Sequence, residues 1–349
     1  MNMKRIAFLL LIIMLFTGCE KQKNDFANPR RFTNDIRLNT TPVKSQGRSS
    51  LCWVYAMLAT IETEHIMRGD SVHLSVDYAA RTYLTEQVRE KLFSRKNRMP
   101  FCLQSNNFTT RGMAGMLIDL IQNYGLQHFD AYHRKTQTNY NKLVRKLEQA
   151  IHSPLSSNPE IQMSLINELM DNEIGYAPKQ VFMYGAVYTP QEFARSVCRD
   201  DEYTALTSFT HHPFNERFPL EVPDNYFHDT FLNVPLDTMM QRIERSLYGG
   251  HPVCWEGDVS ERGFSFGRGF AVLDDESGKV TQEQRQEAFE RHKTTDDHCM
   301  EIIGLAHDEA GNKYFLCKNS WGTNNPYRGF MYLSANYVRL KTIAVYIPR

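Results

Sequence analysis

The chain has 349 residues, and its 40 Lys and Arg residues balance its 40 Asp and Glu residues, so the formal net charge is zero. Hydrophobic residues make up 42% of the sequence and aromatic residues 12%, which is enough to bury the core of one large domain or of two lobes. Neither a basic patch nor an acidic tail stands out, and this argues against nucleic acid as a partner.

The first residues are typical of a secretory signal. Lys4 and Arg5 precede an apolar run over residues 6–16, and small residues then lead to Cys19. The apolar run is too short for a membrane-spanning helix, which needs about 20 residues. A cysteine directly after a small residue at this point resembles the bacterial lipobox, and an ordinary cleaved signal with an incidental cysteine is the alternative.

The lipobox resemblance implies that residues 1–18 are removed and that Cys19 is lipidated and becomes the new N-terminus. Residues 19–31 are polar and are predicted to be a tether. We therefore expect a cell-envelope protein that is anchored by lipid to a bacterial membrane, facing the periplasm or the surface.

The first predicted helix begins near Ser49 or Ser50, either of which can cap it, and it ends at Gly69. Its apolar residues recur at helical spacing on several sides, so we expect the helix to be largely buried. These residues are Trp53, Met57, Leu58 and Ile61.

Further helices are predicted over residues 74–90 and 112–123, the latter with Gly125 as its C-cap. Residues 133–180 are rich in polar residues at helical spacing and are predicted to be a helical insertion. Within one large domain over 32–349, the helices precede the strands.

The second half is dominated by short β-prone runs. We therefore predict an α+β fold with an N-terminal helical lobe, a C-terminal antiparallel β lobe and a cleft between them. A polar stretch over residues 282–292 is predicted to be a surface helix. The β-prone runs are 181–188, 251–259, 299–308, 313–320, 329–334 and 343–348.

Seven cysteines need an interpretation. If Cys19 carries lipid and Cys52 is a nucleophile, five remain, and an odd number cannot all pair in disulfides. We expect the three in predicted strands, Cys254, Cys299 and Cys317, to be free and buried.

Cys52 lies at the start of the first long helix, where the partial positive charge of the helix N-terminus stabilises a thiolate. Gln46 lies six residues upstream. Its side-chain amide and the backbone N–H of Cys52 can both donate to the oxyanion of a tetrahedral intermediate.

Two later segments supply the partners that a thiolate nucleophile needs. His298 comes just before a predicted strand and can form an ion pair with a thiolate across a cleft. Asn319 ends the next strand, and its carbonyl oxygen can fix the tautomer of the imidazole. Trp321 can cover that hydrogen bond and exclude water.

The motifs QGRSSLCW, DDHC and NSWG, in this order, resemble the papain-like cysteine peptidases, whose Cys-His-Asn arrangement is shared by several peptidases. The resemblance implies that Cys52 is the nucleophile, His298 its base and Asn319 the residue that orients the base. It implies Gln46 as the oxyanion donor and Trp53 and Trp321 as supporting residues. It implies no cofactor.

Within that family the chain is most similar to the bleomycin hydrolase and aminopeptidase C branch. The segments that carry this similarity are TPQEFAR over 189–195, LNVPLDTM, PVCWEGDV and the helical insertion. Members of that branch have a C-terminal arm that enforces aminopeptidase action. The printed sequence ends soon after the last predicted strand without such an arm, so endopeptidase action stays open.

Several residues have a functional and a structural interpretation. Gly112 and Gly115 can line the pocket for the substrate side chain two residues before the scissile bond, or can serve helix packing. Arg111 can attract an acidic group. Asp296 and Asp297 are expected in a solvated turn.

We expect no metal, because neither an HExxH motif nor a CxxC motif occurs, although His211 and His212 lie near carboxylates.

Three functions fit these residues. The leading hypothesis is a peptidase that works through a thioester acyl-enzyme. A non-catalytic lipoprotein that binds peptides with the same fold is the second, and a Cys-His hydrolase of cell-wall peptides is the third. The sequence predicts neither the preferred peptide nor the oligomeric state.

Overall fold

The helices and strands are known for most of the chain. The computed structural model describes residues 29–93, 107–134, 136–152, 158–183 and 185–349. The predicted signal over 1–18, Cys19, the first part of the predicted tether and Cys102 lie outside the described residues.

Helices dominate the first half of the described chain. The longest are α1 (Cys52–Met67) and α2 (Val76–Phe93). The others are α3 (Ala114–Tyr124), α4 (Tyr140–Ile151), α5 (Pro159–Ile174) and α6 (Pro190–Val197), and the second half adds α7 (Leu236–Tyr248), α8 (Gln282–Glu290) and α9 (Ala335–Lys341).

Eleven of the described strands form one sheet, which is mostly antiparallel. Its strands are β1 (Phe32–Arg37), β4 (Tyr203–Thr207), β5 (Arg217–Pro219), β6 (Thr230–Asn233), β7 (Val253–Gly257), β8 (Phe264–Ser265), β9 (Phe270–Ala271), β10 (His298–Asp308), β11 (Lys313–Lys318), β12 (Phe330–Ser334) and β13 (Thr342–Pro348). Their order in the sheet is β5-β6-β4-β13-β7-β10-β11-β12-β9-β8, and β1 pairs with part of β10. Two further strands, β2 (Val181–Met183) and β3 (Ala186–Tyr188), form a separate hairpin.

The central helix α1 packs against β7 and β10 of this sheet. Trp53, Met57 and Leu58 are fully buried, and so are polar residues on other sides of the helix such as Thr60 and Glu62. A helix that is buried all round carries no amphipathic stripe, because it has no solvent face. One apolar cluster joins α1 to the helical lobe, and a second lies within the β lobe, where α7 and α9 cover the sheet.

The expected α+β fold is confirmed. The strands predicted in the second half all form, although residues 181–188 split into a hairpin outside the large sheet. Gly125, with φ of 79°, ends α3 as predicted. Residues 133–180 contain α4 and α5, and α5 packs on α2. That this stretch is an insertion stays a prediction.

The antiparallel pairing of β10 with β11 brings two distant residues to the same end of the sheet. Glu301 pairs with Lys318, so the residues just before Glu301 and just after Lys318 are neighbours. His298 is the first residue of β10 and Asn319 directly follows β11. The sheet register therefore places the imidazole and the amide side by side.

Five cysteines in the described part of the chain are free and buried: Cys52, Cys198, Cys254, Cys299 and Cys317. This confirms the interpretation of the three strand cysteines. Among the described residues, none of the helices combines the length and the apolar character that crossing a bilayer requires.

We predict that Gly257→Ala lowers the free energy of unfolding by about 1–3 kcal/mol, because overpacking has a cost of this size. Gly257 pairs with both His298 and Thr342, and an added Cβ would lie 2.3 Å from the carbonyl oxygen of Lys341. Gly267→Ala is the matched control, since its Cβ would meet no atom within 4 Å. Urea denaturation measures both, and equal stability of the two variants would contradict the prediction.

Candidate active site

Cys52 is the first residue of α1, and its exposed fraction is 7%. The N-cap is Leu51, and no side chain caps this helix. The prediction that Ser49 or Ser50 is the cap is therefore wrong. The Ser49 hydroxyl donates to the Gln46 carbonyl at 2.7 Å instead, and the Ser50 N–H donates to the Thr110 hydroxyl at 3.1 Å. Consequently no side chain takes up the N–H groups of the first turn, which include that of Cys52.

His298 is held by Asn319. The Nε2 atom of His298 lies 2.8 Å from Oδ1 of Asn319, which also accepts the Ser320 N–H at 2.7 Å. Because that backbone donor identifies Oδ1 as the oxygen, His298 must carry its hydrogen on Nε2. The Nδ1 atom is then left for another partner. The ring of Trp321 lies 4.5 Å from that of His298, centroid to centroid, and shields the pair.

Cys52 and His298 come from different lobes and lie close enough for their side chains to interact. A hydrogen bond from Cys299 is the largest influence that lowers the pKa of the Cys52 thiol. Burial raises this pKa, and the hydrogen bond and positive charge of His298 lower it again. The pKa of Cys52 therefore lies well below its ordinary value, which favours the thiolate over the thiol.

Behind Cys52 lies a polar group that sequence reasoning missed. Sγ of Cys299 lies 3.3 Å from Oε1 of Glu256, and the Tyr346 hydroxyl lies 3.2 Å from Oε2. Burial raises the pKa of both Cys299 and Glu256 well above their ordinary values. Cys299 therefore keeps its single hydrogen, which either Cys52 or Glu256 can accept. The only sequence signal was an acidic residue inside an apolar strand.

Gln46 is buried, and its side chain is fixed by contacts to both lobes. Its Oε1 accepts the Ser320 hydroxyl at 2.6 Å, while its Nε2 donates to the Ser49 carbonyl at 2.7 Å. The Gln46 N–H also donates to the Ser320 carbonyl at 2.8 Å. An amide NH2 has two hydrogens, so one donor remains beyond the bond to Ser49. Ser320, inside the NSWG motif, thus orients Gln46.

The segment around Gly112 packs on the nucleophile's helix. The Trp53 indole N–H donates to the Thr110 carbonyl at 3.0 Å, and a Cβ on Gly112 would lie 3.0 Å from the Trp53 ring. A Cβ on Gly115 would lie 2.6 Å from the Asp229 carboxylate. The close approach of the Trp53 ring and of the Asp229 carboxylate explains why glycine occupies these two positions. The role of Gly112 and Gly115 in substrate binding stays a prediction.

The two aspartates before His298 differ from expectation. Asp297 is exposed, as a solvated turn requires, but Asp296 is buried, so that part of the prediction is wrong. The loop folds inwards because the Thr295 N–H donates to Asp258 at 3.2 Å, and the Asp296 carbonyl accepts from Arg111 at 3.3 Å. Arg111 binds both oxygens of Asp224, an acidic group of the protein itself, and its attraction of an acidic substrate group stays a prediction.

His211, His212 and Glu221 are the one group of described residues whose ligand atoms are close enough to hold a metal, within 4.8 Å of one another. Gln286 accepts the Thr210 N–H at 2.6 Å through Oε1, so its Nε2 donates to Nδ1 of His211 at 2.9 Å. His211 therefore carries its hydrogen on Nε2 and donates it to Glu221. In this arrangement Nε2 of His211 cannot ligate a metal.

Comparison with known proteins gives a partial match to one family profile, two aminopeptidase relatives of low identity and a shared fold. Residues 239–347 match the profile described as "Papain family cysteine protease", a range that contains His298 and Asn319 and begins after Cys52. Aminopeptidase W of Lactobacillus delbrueckii subsp. lactis is 21% identical over 91% of this chain and 83% of its own length. Aminopeptidase G of the same organism is 24% identical over 40% of this chain and 33% of its own length.

The structure of PepW from Lactobacillus rhamnosis HN001 superposes with a TM-score of 0.68, at 18% identity, over 98% of this chain and 88% of that one. The superposition shows that the two chains share their fold. The expectation of a papain-like α+β fold is thereby confirmed.

We predict that Cys52 reacts with iodoacetamide at pH 6, well below the ordinary thiol pKa of about 8.5, because its thiolate is stabilised. In His298→Ala the midpoint of the pH–rate profile should rise by about one pH unit or more, since the hydrogen bond and the charge of the imidazole are lost. Mass spectrometry identifies the alkylated residue. His152→Ala, at an exposed position, is the control, and an unchanged midpoint in His298→Ala would contradict the assignment.

Proposed function

We propose that this chain, a cysteine-type peptidase with a papain-like fold, uses Cys52 as its nucleophile, His298 as the base and Asn319 to orient the base. The observation that carries the proposal is the position of His298, which is hydrogen-bonded to Asn319 through Nε2 and lies close enough to Cys52 for the two side chains to interact. A thiolate of lowered pKa at a helix start, beside an imidazole of fixed tautomer, is the arrangement that thiol acyl transfer needs.

The reaction follows from these positions. The Cys52 thiolate attacks the carbonyl carbon of the scissile peptide bond and forms a tetrahedral intermediate. The free N–H of Gln46 and the backbone N–H of Cys52 donate to its oxyanion, and one such donor is worth on the order of 3 kcal/mol of barrier. His298 then gives its proton to the departing amine, and water activated by the same imidazole hydrolyses the thioester.

A further part of the proposal is that the chain acts as an aminopeptidase. Aminopeptidase W matches 91% of the chain and aminopeptidase G matches 40% of it, and the sequence resembles the bleomycin hydrolase and aminopeptidase C branch. We infer that the chain removes residues from the N-termini of peptides. A non-catalytic binding protein would not need the complete set of Cys52, His298, Asn319 and Gln46.

The location is a separate part of the proposal. The basic start, the apolar run over 6–16 and Cys19 support a lipid anchor on a bacterial envelope membrane. The predicted tether over residues 19–31 would then separate the membrane from β1. Peptides present at the envelope are the substrates that such a protein meets.

We predict that Cys52→Ala abolishes both peptide hydrolysis and labelling by a peptidyl epoxide, because the attacking atom is removed. Cys198→Ala should retain both, since burial raises the pKa of the Cys198 thiol to about 12 and leaves it unreactive. Fluorogenic peptides measure hydrolysis, and gel fluorescence measures labelling. Equal labelling of the two variants would exclude Cys52 as the nucleophile.

A second prediction concerns the anchor. In the bacterial host, Cys19→Ser should move the protein from the membrane fraction to the soluble fraction and abolish the incorporation of labelled fatty acid, because lipid attachment needs the thiol. Cys198→Ser serves as the control for losing a cysteine. Membrane association that persists in Cys19→Ser, with no fatty acid in the wild type, would refute lipidation.

A further inference from the structure

Asp296 lies beside the proposed nucleophile and is not used in the mechanism above. It precedes His298 by two residues, and its exposed fraction is 8%. Its carbonyl oxygen accepts from Nη2 of Arg111 at 3.3 Å, so it lies where the segment before α3 meets the start of β10. Asp296 therefore lies where the two lobes meet, close enough to Cys52 for the two side chains to interact.

The carboxylate of Asp296 lacks a partner of opposite charge. Oδ2 of Asp296 is buried, and across the described residues no donor reaches it. The nearest cation is Arg111, but its Nε binds both oxygens of Asp224, at 3.0 and 2.9 Å, and its Nη2 adds a contact at 2.9 Å. Two carboxylates thus share one guanidinium that is committed to Asp224.

A buried carboxylate without a counter-charge is costly, and a cation that reaches it recovers that cost. Burial raises the pKa of Asp296 well above its ordinary value, and the negative charges of Asp224 and Cys52 add to this effect. Glu256, fully buried behind Cys52, adds a further acidic group and no positive charge. This side of the cleft is therefore complementary to a cationic group of the substrate.

Geometry favours one cation in particular. The α-ammonium group of an N-terminal residue is only two bonds from the carbonyl carbon that Cys52 attacks, so it must lie within a few ångströms of the sulfur. Asp296 is close enough to Cys52 for the two charges to interact. A lysine or arginine side chain would have to come from the preceding residue of the substrate, which lies further from the attacked carbonyl.

We propose that Asp296 is a specificity residue that binds the free α-ammonium group of a peptide substrate, and that it thereby restricts the enzyme to N-terminal residues. The assignment rests on the proposed function, in which Cys52 attacks the carbonyl of that same residue. Arg111 and Asp224 hold the Asp296 backbone and are positioning residues.

Four fluorogenic aminocoumarin amides test the assignment: leucyl, 4-methylpentanoyl, N-acetyl-leucyl and N-acetyl-lysyl-leucyl. The second lacks only the amine of the first, so it removes the charge without adding bulk. The wild type should cleave the leucyl amide with a kcat/KM about 10- to 100-fold above that of the 4-methylpentanoyl amide, the range expected for one hydrogen bond to a charged group.

In Asp296→Asn the kcat/KM for the leucyl amide should fall to that for the 4-methylpentanoyl amide. The kcat/KM for the 4-methylpentanoyl amide itself should change less than about threefold. Asp296→Glu, which restores the charge, should recover part of the preference. Asp201→Asn, at an exposed ion pair with Arg349, is the control and should keep the wild-type preference. Titration of Cys52 with the peptidyl epoxide counts the folded sites of each variant.

The outcomes separate the inference from the proposed function. Cleavage of the leucyl and 4-methylpentanoyl amides at equal rates by the wild type overturns the inference without any variant and leaves Cys52 catalysis intact. A preference that persists in folded Asp296→Asn also overturns it. Cleavage of the N-acetyl-lysyl-leucyl amide that depends on Asp296 would assign the residue to a basic side chain instead. Absence of any Cys52-dependent cleavage would refute the proposed function itself.

Discussion

Helix α1 packs directly on strand β10, and this contact brings Cys52 at the start of the helix towards His298 at the start of the strand. A thiol at a helix start is of no use to catalysis unless an imidazole reaches it, and here the two side chains come from positions 246 residues apart, 52 and 298. Helix α1 packs on β7 and β10 of the sheet, and Trp53 on the same helix packs on Thr110 and Gly112 of the helical lobe. Core packing therefore determines the geometry of the proposed ion pair, and the hydrogen bonds only adjust it.

The loop before α1 is also held to the β lobe by hydrogen bonds. Ser320 binds the Gln46 side chain and its backbone, and Ser45 bridges to Trp321. The same short segment that holds the base thus positions the proposed oxyanion donor. Because one segment serves both purposes, the base and the proposed oxyanion donor are held in a fixed position relative to each other.

The fold class and the main candidate residues could be predicted from the sequence, because their signals are local. A cysteine that opens a long apolar helix, a histidine before a strand and an asparagine after the next strand each have a recognisable sequence setting. Antiparallel pairing of β10 with β11 then makes His298 and Asn319 neighbours. The family match over residues 239–347 agrees with the fold, while the individual catalytic roles remain proposals.

What the sequence did not predict depends on contacts between distant segments. Asp296 was expected in solvent, since a pair of aspartates has no local feature that places one of them inside. Its burial comes from Asp258 and Arg111, which lie 38 residues and 185 residues away in the chain. The predicted N-cap of α1 was wrong for a related reason. Ser49 binds the Gln46 carbonyl and Ser50 binds Thr110, so neither serine caps the helix. The helix N-terminus is thereby left open for the substrate.

The most direct measurement is a crystal structure of the protein with a peptide aldehyde that has a free N-terminus. The account predicts a hemithioacetal bond to Sγ of Cys52, with the oxygen within hydrogen-bond distance of Nε2 of Gln46 and of the Cys52 N–H. The His298 ring should lie within hydrogen-bond distance of the adduct, since it is held by Asn319. An adduct on another cysteine, or a His298 ring that lies too far from the adduct to exchange a proton with it, would contradict the account.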